Sequence, residues 1–76
     1  MLGTSWCSDC ARSRALLERL GVDYEFVDID QDTAGAREVE TLNHGRRSVP
    51  TILFPDGRVL VEPSDEELAR AIATAL

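Results

Sequence analysis

Trp6-Cys7-Ser8-Asp9-Cys10 holds the only two cysteines of this 76-residue chain, separated by two residues. At the start of a helix one turn brings two such thiols close enough to alternate between dithiol and disulfide. The first thiol would lie among unpaired backbone N–H groups at the positive end of the helix dipole, where a thiolate is favoured. Cys7 is therefore the expected nucleophile, the more exposed and more readily ionised of the two. Cys10, one turn further in, is the expected resolving thiol that attacks the mixed disulfide. A disulfide closing so short a loop would remove little chain entropy, so a structural staple is poorly motivated.

Other chemistries make demands on the same residues. A structural zinc ion wants four ligands, and beyond the cysteines the chain offers only His44 and scattered carboxylates, so no metal is expected. Covalent haem attachment needs a histidine directly after the second cysteine, where Ala11 stands. Within the redox reading, Asp9 would oppose a thiolate at Cys7 and make the pair more reducing. Arg12 and Arg14 would offset it only if they turn toward the site; a solvated helix face is the expectation for both.

The rest of the chain must position this pair. A length of 76 residues with 43% apolar content makes one domain spanning residues 1–76, near the lower limit for a self-sufficient core. The net charge of −6 excludes a nucleic-acid partner, because phosphate calls for a basic face. No apolar run approaches the roughly 18 residues of a membrane span, nor does a signal-peptide stretch open the sequence. A cytoplasmic, monomeric protein without membrane contact is expected, with a working thiol pair in a reducing compartment.

The elements read strand, helix, strand, helix, strand, strand, helix. Met1 to Thr4 is a short extended start, either cut short or continued upstream in a longer chain. Ser8 or Asp9 is placed to cap a first helix carrying Leu16, Leu17 and Leu20 and stopping at Gly21. Val22 to Ile29 is rich in β-branched and aromatic residues and predicts a strand. Asp30 to Asp32 leads into a second helix that ends near Asn43-His44-Gly45, where His44 would act as a cap rather than a base. Val49 to Phe54 and Val59 to Val61 predict two strands around the turn residues Pro55-Asp56-Gly57-Arg58.

Ser64-Asp65-Glu66-Glu67 fits a capping box, ahead of a last helix with Leu68, Ile72 and Leu76 on one stripe. A first strand-helix-strand unit implies a parallel pair, and the hairpin adds two antiparallel strands. The result is an α/β fold of the thioredoxin-like kind, a four-stranded mixed sheet with three helices on both faces. A Cys-x-x-Cys between strand one and helix one of such a fold reads as a redox motif.

Thr4-Ser5-Trp6-Cys7-Ser8-Asp9-Cys10, Val27-Asp28-Ile29-Asp30, Ser48-Val49-Pro50-Thr51 and the Asp56-Gly57 hairpin together resemble the glutaredoxins, closest to the actinobacterial mycoredoxin-like group. The resemblance covers essentially the whole chain. It implies a dithiol-disulfide oxidoreductase acting on protein disulfides, or on mixed disulfides of proteins with a low-molecular-weight thiol. That thiol, mycothiol or glutathione, would be a co-substrate rather than a bound cofactor. The resemblance also implies a cis Val49-Pro50 bond opposite the dithiol, with the Val49 backbone pairing to substrate. Ser64 and Asp65 would lie where the carboxylate of the small thiol is held, Trp6 would cover the dithiol, and Arg46 and Arg47 could pair with an anionic thiol.

Departures from the family pattern are specific. Ser8-Asp9 replaces the usual Pro-Tyr or Gly-Tyr, and Val61-Glu62-Pro63-Ser64-Asp65 replaces Gly-Gly-x-Asp, which sets the acid Glu62 near an expected anion site. Two alternatives stand beside the leading reading. One is an iron–sulfur carrier in which Cys7 thiolates from two chains hold a cluster. The other is a ribonucleotide-reductase-type redoxin served by thioredoxin reductase, disfavoured by the residues before the last helix.

Overall fold

A computed structural model describes residues 1–75 of the chain. The elements follow the expected order: β1 (Leu2–Gly3), α1 (Ser8–Arg19), β2 (Val27–Asp28), α2 (Thr33–Leu42), β3 (Thr51–Leu53), β4 (Val59–Val61) and α3 (Asp65–Ala75). The strands lie in the order β2-β1-β3-β4. β1 runs parallel to β2, with Leu2 opposite Val27, and antiparallel to β3, with Leu2 opposite Thr51. A parallel neighbour requires a crossover, and α1 supplies it.

The sheet has two buried faces. Ile52 of β3 packs with Leu16 and Leu17 of α1 and Leu68 and Ile72 of α3. Leu53, one residue on, turns to the opposite cluster of Leu2, Ile29, Ala36 and Val39, which brings in α2. This alternation is the period of two that a pleated strand imposes. Leu68 and Ile72 bear out the apolar stripe of the last helix, whereas Leu76 lies outside the described residues. The thioredoxin-like arrangement of three helices and a mixed four-stranded sheet is thus present.

Three expectations need correction, and the simplest is that the strand read over Val49–Phe54 shortens to Thr51–Leu53. The strand read over Val22–Ile29 contracts to Val27–Asp28, because β1 offers only Leu2 and Gly3 as partners. The ladder closes with the Val27 N–H on Met1 O at 2.9 Å and the Ile29 N–H on Gly3 O at 2.9 Å. The preceding residues are held by side chains instead: Arg14 lies 4.1 Å from the centre of the Phe26 ring and donates to the Tyr24 hydroxyl. Neither Ser8 nor Asp9 caps α1; Cys7 does, with its sulfur accepting from the Cys10 N–H at 3.2 Å. The capping oxygen that helix starts normally recruit is here replaced by the sulfur of the dithiol motif.

The hairpin and the last helix match their sequence signals. Gly57 takes the left-handed conformation the turn requires, with φ +95°. Arg58 stacks on Phe54 and donates to Ala71 O and Thr74 Oγ1, fastening the hairpin to α3. Ser64 and Glu67 exchange both bonds of the capping box at 3.1 Å.

Candidate active site

Every element end nearest the dithiol contributes to it. β1 ends at Gly3, and the loop through Trp6 delivers Cys7 to the N-cap of α1 in an extended conformation, φ −81° and ψ 119°. The Cys7 sulfur is part-exposed, accepts from the Cys10 N–H, and has the Val49 carbonyl oxygen at 3.9 Å. A negative charge on that sulfur would meet the amide dipoles at the start of α1. Cys10 lies one turn in on the buried side of the helix, only 1% exposed. Burial pushes its thiol up to about 12 from 9.0, helped next by the hydrogen bond with Cys7, while the Thr4 backbone N–H works in the opposite direction.

This asymmetry has a direct readout. With an ionisation near 12, the thiolate fraction of Cys10 at pH 8 is on the order of one in ten thousand. Iodoacetamide should therefore place one label on the reduced protein, at Cys7, with Cys10 more than about a hundredfold slower. Labelling of Cys10 should climb about tenfold per pH unit as pH rises toward its ionisation, because only the thiolate reacts. Peptide mapping showing equal modification of both cysteines at pH 8 would contradict the arrangement.

Opposite the dithiol, the Val49-Pro50 bond is cis, as the resemblance implied, and Pro50 is buried. Thr51 holds this loop in place by donating to Ser48 O at 2.7 Å, and Asn43 at the end of α2 donates to both Thr51 Oγ1 and Val39 O. On the far side, the Glu62 N–H donates to Pro50 O at 2.8 Å. The loop is therefore braced from α2 and from the segment leading to α3.

The remaining candidates distribute unevenly. Arg12 lies on the exposed face expected of it but is engaged there, and Arg14 is half-buried. Arg12 donates to Pro63 O at 3.2 Å and lies 3.3 Å from Asp9 and 3.4 Å from Asp65, tying the active-site helix to the start of α3. Asp9, expected to be offset only if Arg12 or Arg14 turned toward it, is thus paired with Arg12. Trp6 is 73% exposed rather than laid over the sulfurs, and its indole N–H donates to Asp30 at 2.7 Å. Ser64 keeps both its N–H and its hydroxyl in the capping box, and the Ser64 N–H holds the Glu67 carboxyl below its usual range.

Ser8 is the exposed first residue of α1. Arg47 pairs with Glu40 at 2.9 Å, and Arg46 is exposed in the loop after α2, so neither reaches the dithiol through a described contact. Gly3 was not singled out by sequence reasoning, yet a Cβ there would come within 2.8 Å of the Cys10 sulfur. The available signal was a glycine in a strand immediately ahead of the cysteine loop, which marks a close approach.

Comparison with known proteins agrees with this geometry. Residues 1–60 match the family model described as Glutaredoxin. A Mycobacterium tuberculosis protein given a glutaredoxin name is 42% identical over 65 residues, covering 86% of this chain and 77% of that protein. Mycoredoxin 1 of Corynebacterium glutamicum is 37% identical over 70 residues, covering 91% of this chain and 85% of its own length.

Proposed function

This chain belongs to the glutaredoxin family, a family of thiol-disulfide oxidoreductases, and on that premise we propose that Cys7 is the nucleophile, Cys10 the resolving thiol and mycothiol the co-substrate. The observation that carries the assignment is the placing of the Cys7 sulfur. It caps α1, accepts the Cys10 N–H at 3.2 Å and stands part-exposed across from the Val49 carbonyl, while Cys10 is buried.

The reaction follows from those positions. The Cys7 thiolate attacks the small-thiol sulfur of a protein mixed disulfide. A Cys7–S–S–R bond forms as the S–S bond of the mixed disulfide breaks, and the protein thiolate leaves and takes a proton from water. A second small thiol then attacks, releasing R–S–S–R and restoring Cys7. Alternatively Cys10 loses its proton to solvent and attacks Cys7, expelling R–S⁻ and leaving the Cys7–Cys10 disulfide. Two further small thiols reduce that disulfide, ending as R–S–S–R. The Val49 backbone, with Trp6 at the rim, is the proposed surface on which the substrate chain lies.

Protein disulfides and mixed disulfides are the proposed substrates of a monomer working in the cytoplasm; no described helix is long and apolar enough to cross a membrane. Mycothiol is proposed ahead of glutathione on the likeness to Mycoredoxin 1, beside which stands a relative of 42% identity with a glutaredoxin name. The deciding experiment compares mycothiol and glutathione mixed disulfides of one peptide with a thioredoxin-reductase-coupled disulfide reduction. The mycothiol adduct should be turned over fastest. Activity with thioredoxin reductase alone would overturn the co-substrate, and inactivity in all three would overturn the functional reading.

A further inference from the structure

Glu62 occupies a conformation that glutamate rarely adopts. Its φ is +48°, in the left-handed region, and among the described residues its carboxylate takes part in no hydrogen bond or ion pair. The residue is nevertheless fixed. Val61 before it pairs with Thr51, its own N–H donates to Pro50 O, and Pro63 after it is buried and accepts from Arg12. The backbone of an exposed acidic residue is therefore fixed beside the loop whose Val49 carbonyl faces Cys7. A strained residue whose backbone is bonded but whose charged side chain has no partner is a candidate functional position.

The neighbouring charges strengthen the effect. Arg12 is one guanidinium shared between two carboxylates, Asp9 and Asp65. The Ser64 N–H, which an incoming carboxylate could have used at the start of α3, is already taken by Glu67. Arg46 lines a hollow with Asn43, His44 and Ser48 at the end of α2, and no ion pair joins it to Glu62 among the described residues. At the start of α3 the groups that could take up an anion, Arg12 and the Ser64 N–H, are thus already engaged.

We infer that Glu62 is a specificity-determining residue of the Cys7 site, whose fixed charge disfavours thiols carrying free carboxylates and leaves the site to thiols without them. The inference rests on the reading that a low-molecular-weight thiol is the co-substrate. Two mixed disulfides of one neutral peptide test it, one with glutathione and one with glutathione diethyl ester, which differ in two carboxyl charges and two ethyl groups; the variants and the salt dependence isolate the charge. The wild-type chain should reduce the ester adduct faster. Glu62→Gln should shrink that preference about threefold at low ionic strength, and added salt should shrink it in the wild type.

Glu62→Gly removes the charge and accepts a positive φ, so it should narrow the preference equally while melting no lower than the wild type. A preference unchanged in both variants, with turnover retained, would overturn the inference. Wild-type failure on both adducts and on a mycothiol adduct would instead overturn the functional reading, and the inference with it.

Discussion

Cys7→Ser is expected to lower reduction of a mixed disulfide by at least on the order of a thousandfold, whereas Cys10→Ser should keep a substantial part of that rate. A serine hydroxyl at position 7 is not ionised near neutral pH and cannot exchange with a disulfide, so the first bond never forms. Its oxygen can still accept the Cys10 N–H as an ordinary helix cap, so α1 should persist and the loss should be chemical. Cys10 is required only where the mixed disulfide is resolved internally. With a small-thiol adduct, a second small thiol can take its place; with a protein disulfide, Cys10→Ser should trap a covalent complex through Cys7. Coupled turnover and non-reducing electrophoresis read these two outcomes separately. Full activity in Cys7→Ser, or no difference between the two kinds of substrate in Cys10→Ser, would overturn the division of roles.

The chemistry was more legible in the sequence than the geometry that supports it. Two cysteines at helical-turn spacing, a proline opening a strand, a Ser64–Glu67 capping box and an Asp56-Gly57 turn each carry a local physical meaning. All four stand where their local rules put them. The misreadings concern groups whose roles depend on distant partners. Val22–Phe26 has strand composition, but strand length was limited by β1, whose partner residues are only Leu2 and Gly3. Ser8 and Asp9 are better caps than cysteine by type, yet the loop from β1 puts the Cys7 sulfur at the cap position first. Arg12 is the surface residue it reads as, but its contacts were not legible because Pro63 and Asp65, which hold it, are more than fifty positions away along the chain.

Gly3→Ala tests the least legible of these dependencies and should be costly for so small a change. The added methyl group would stand 2.8 Å from the Cys10 sulfur and 3.1 Å from Phe26 Cε1, closer than such atoms tolerate. Cys10 is a short side chain buried against β1, so relief requires the sulfur or the start of α1 to move. Overpacking of this kind typically costs about 1–3 kcal/mol, and for a domain of this size each kcal/mol lowers the melting temperature by roughly 4–8 °C. The displacement should also expose Cys10, making its alkylation faster relative to Cys7 than in the wild type. Cys10→Ala removes the sulfur and leaves the Cβ of residue 10 at 3.5 Å, an ordinary contact, with Phe26 Cε1 at 3.1 Å the one tight neighbour, so Gly3→Ala should cost distinctly less in that background. If the penalty is the same with and without the sulfur, Phe26 rather than Cys10 sets the need for glycine. Glycine at position 3 would then belong to the packing of β1 and not to the seating of the resolving thiol.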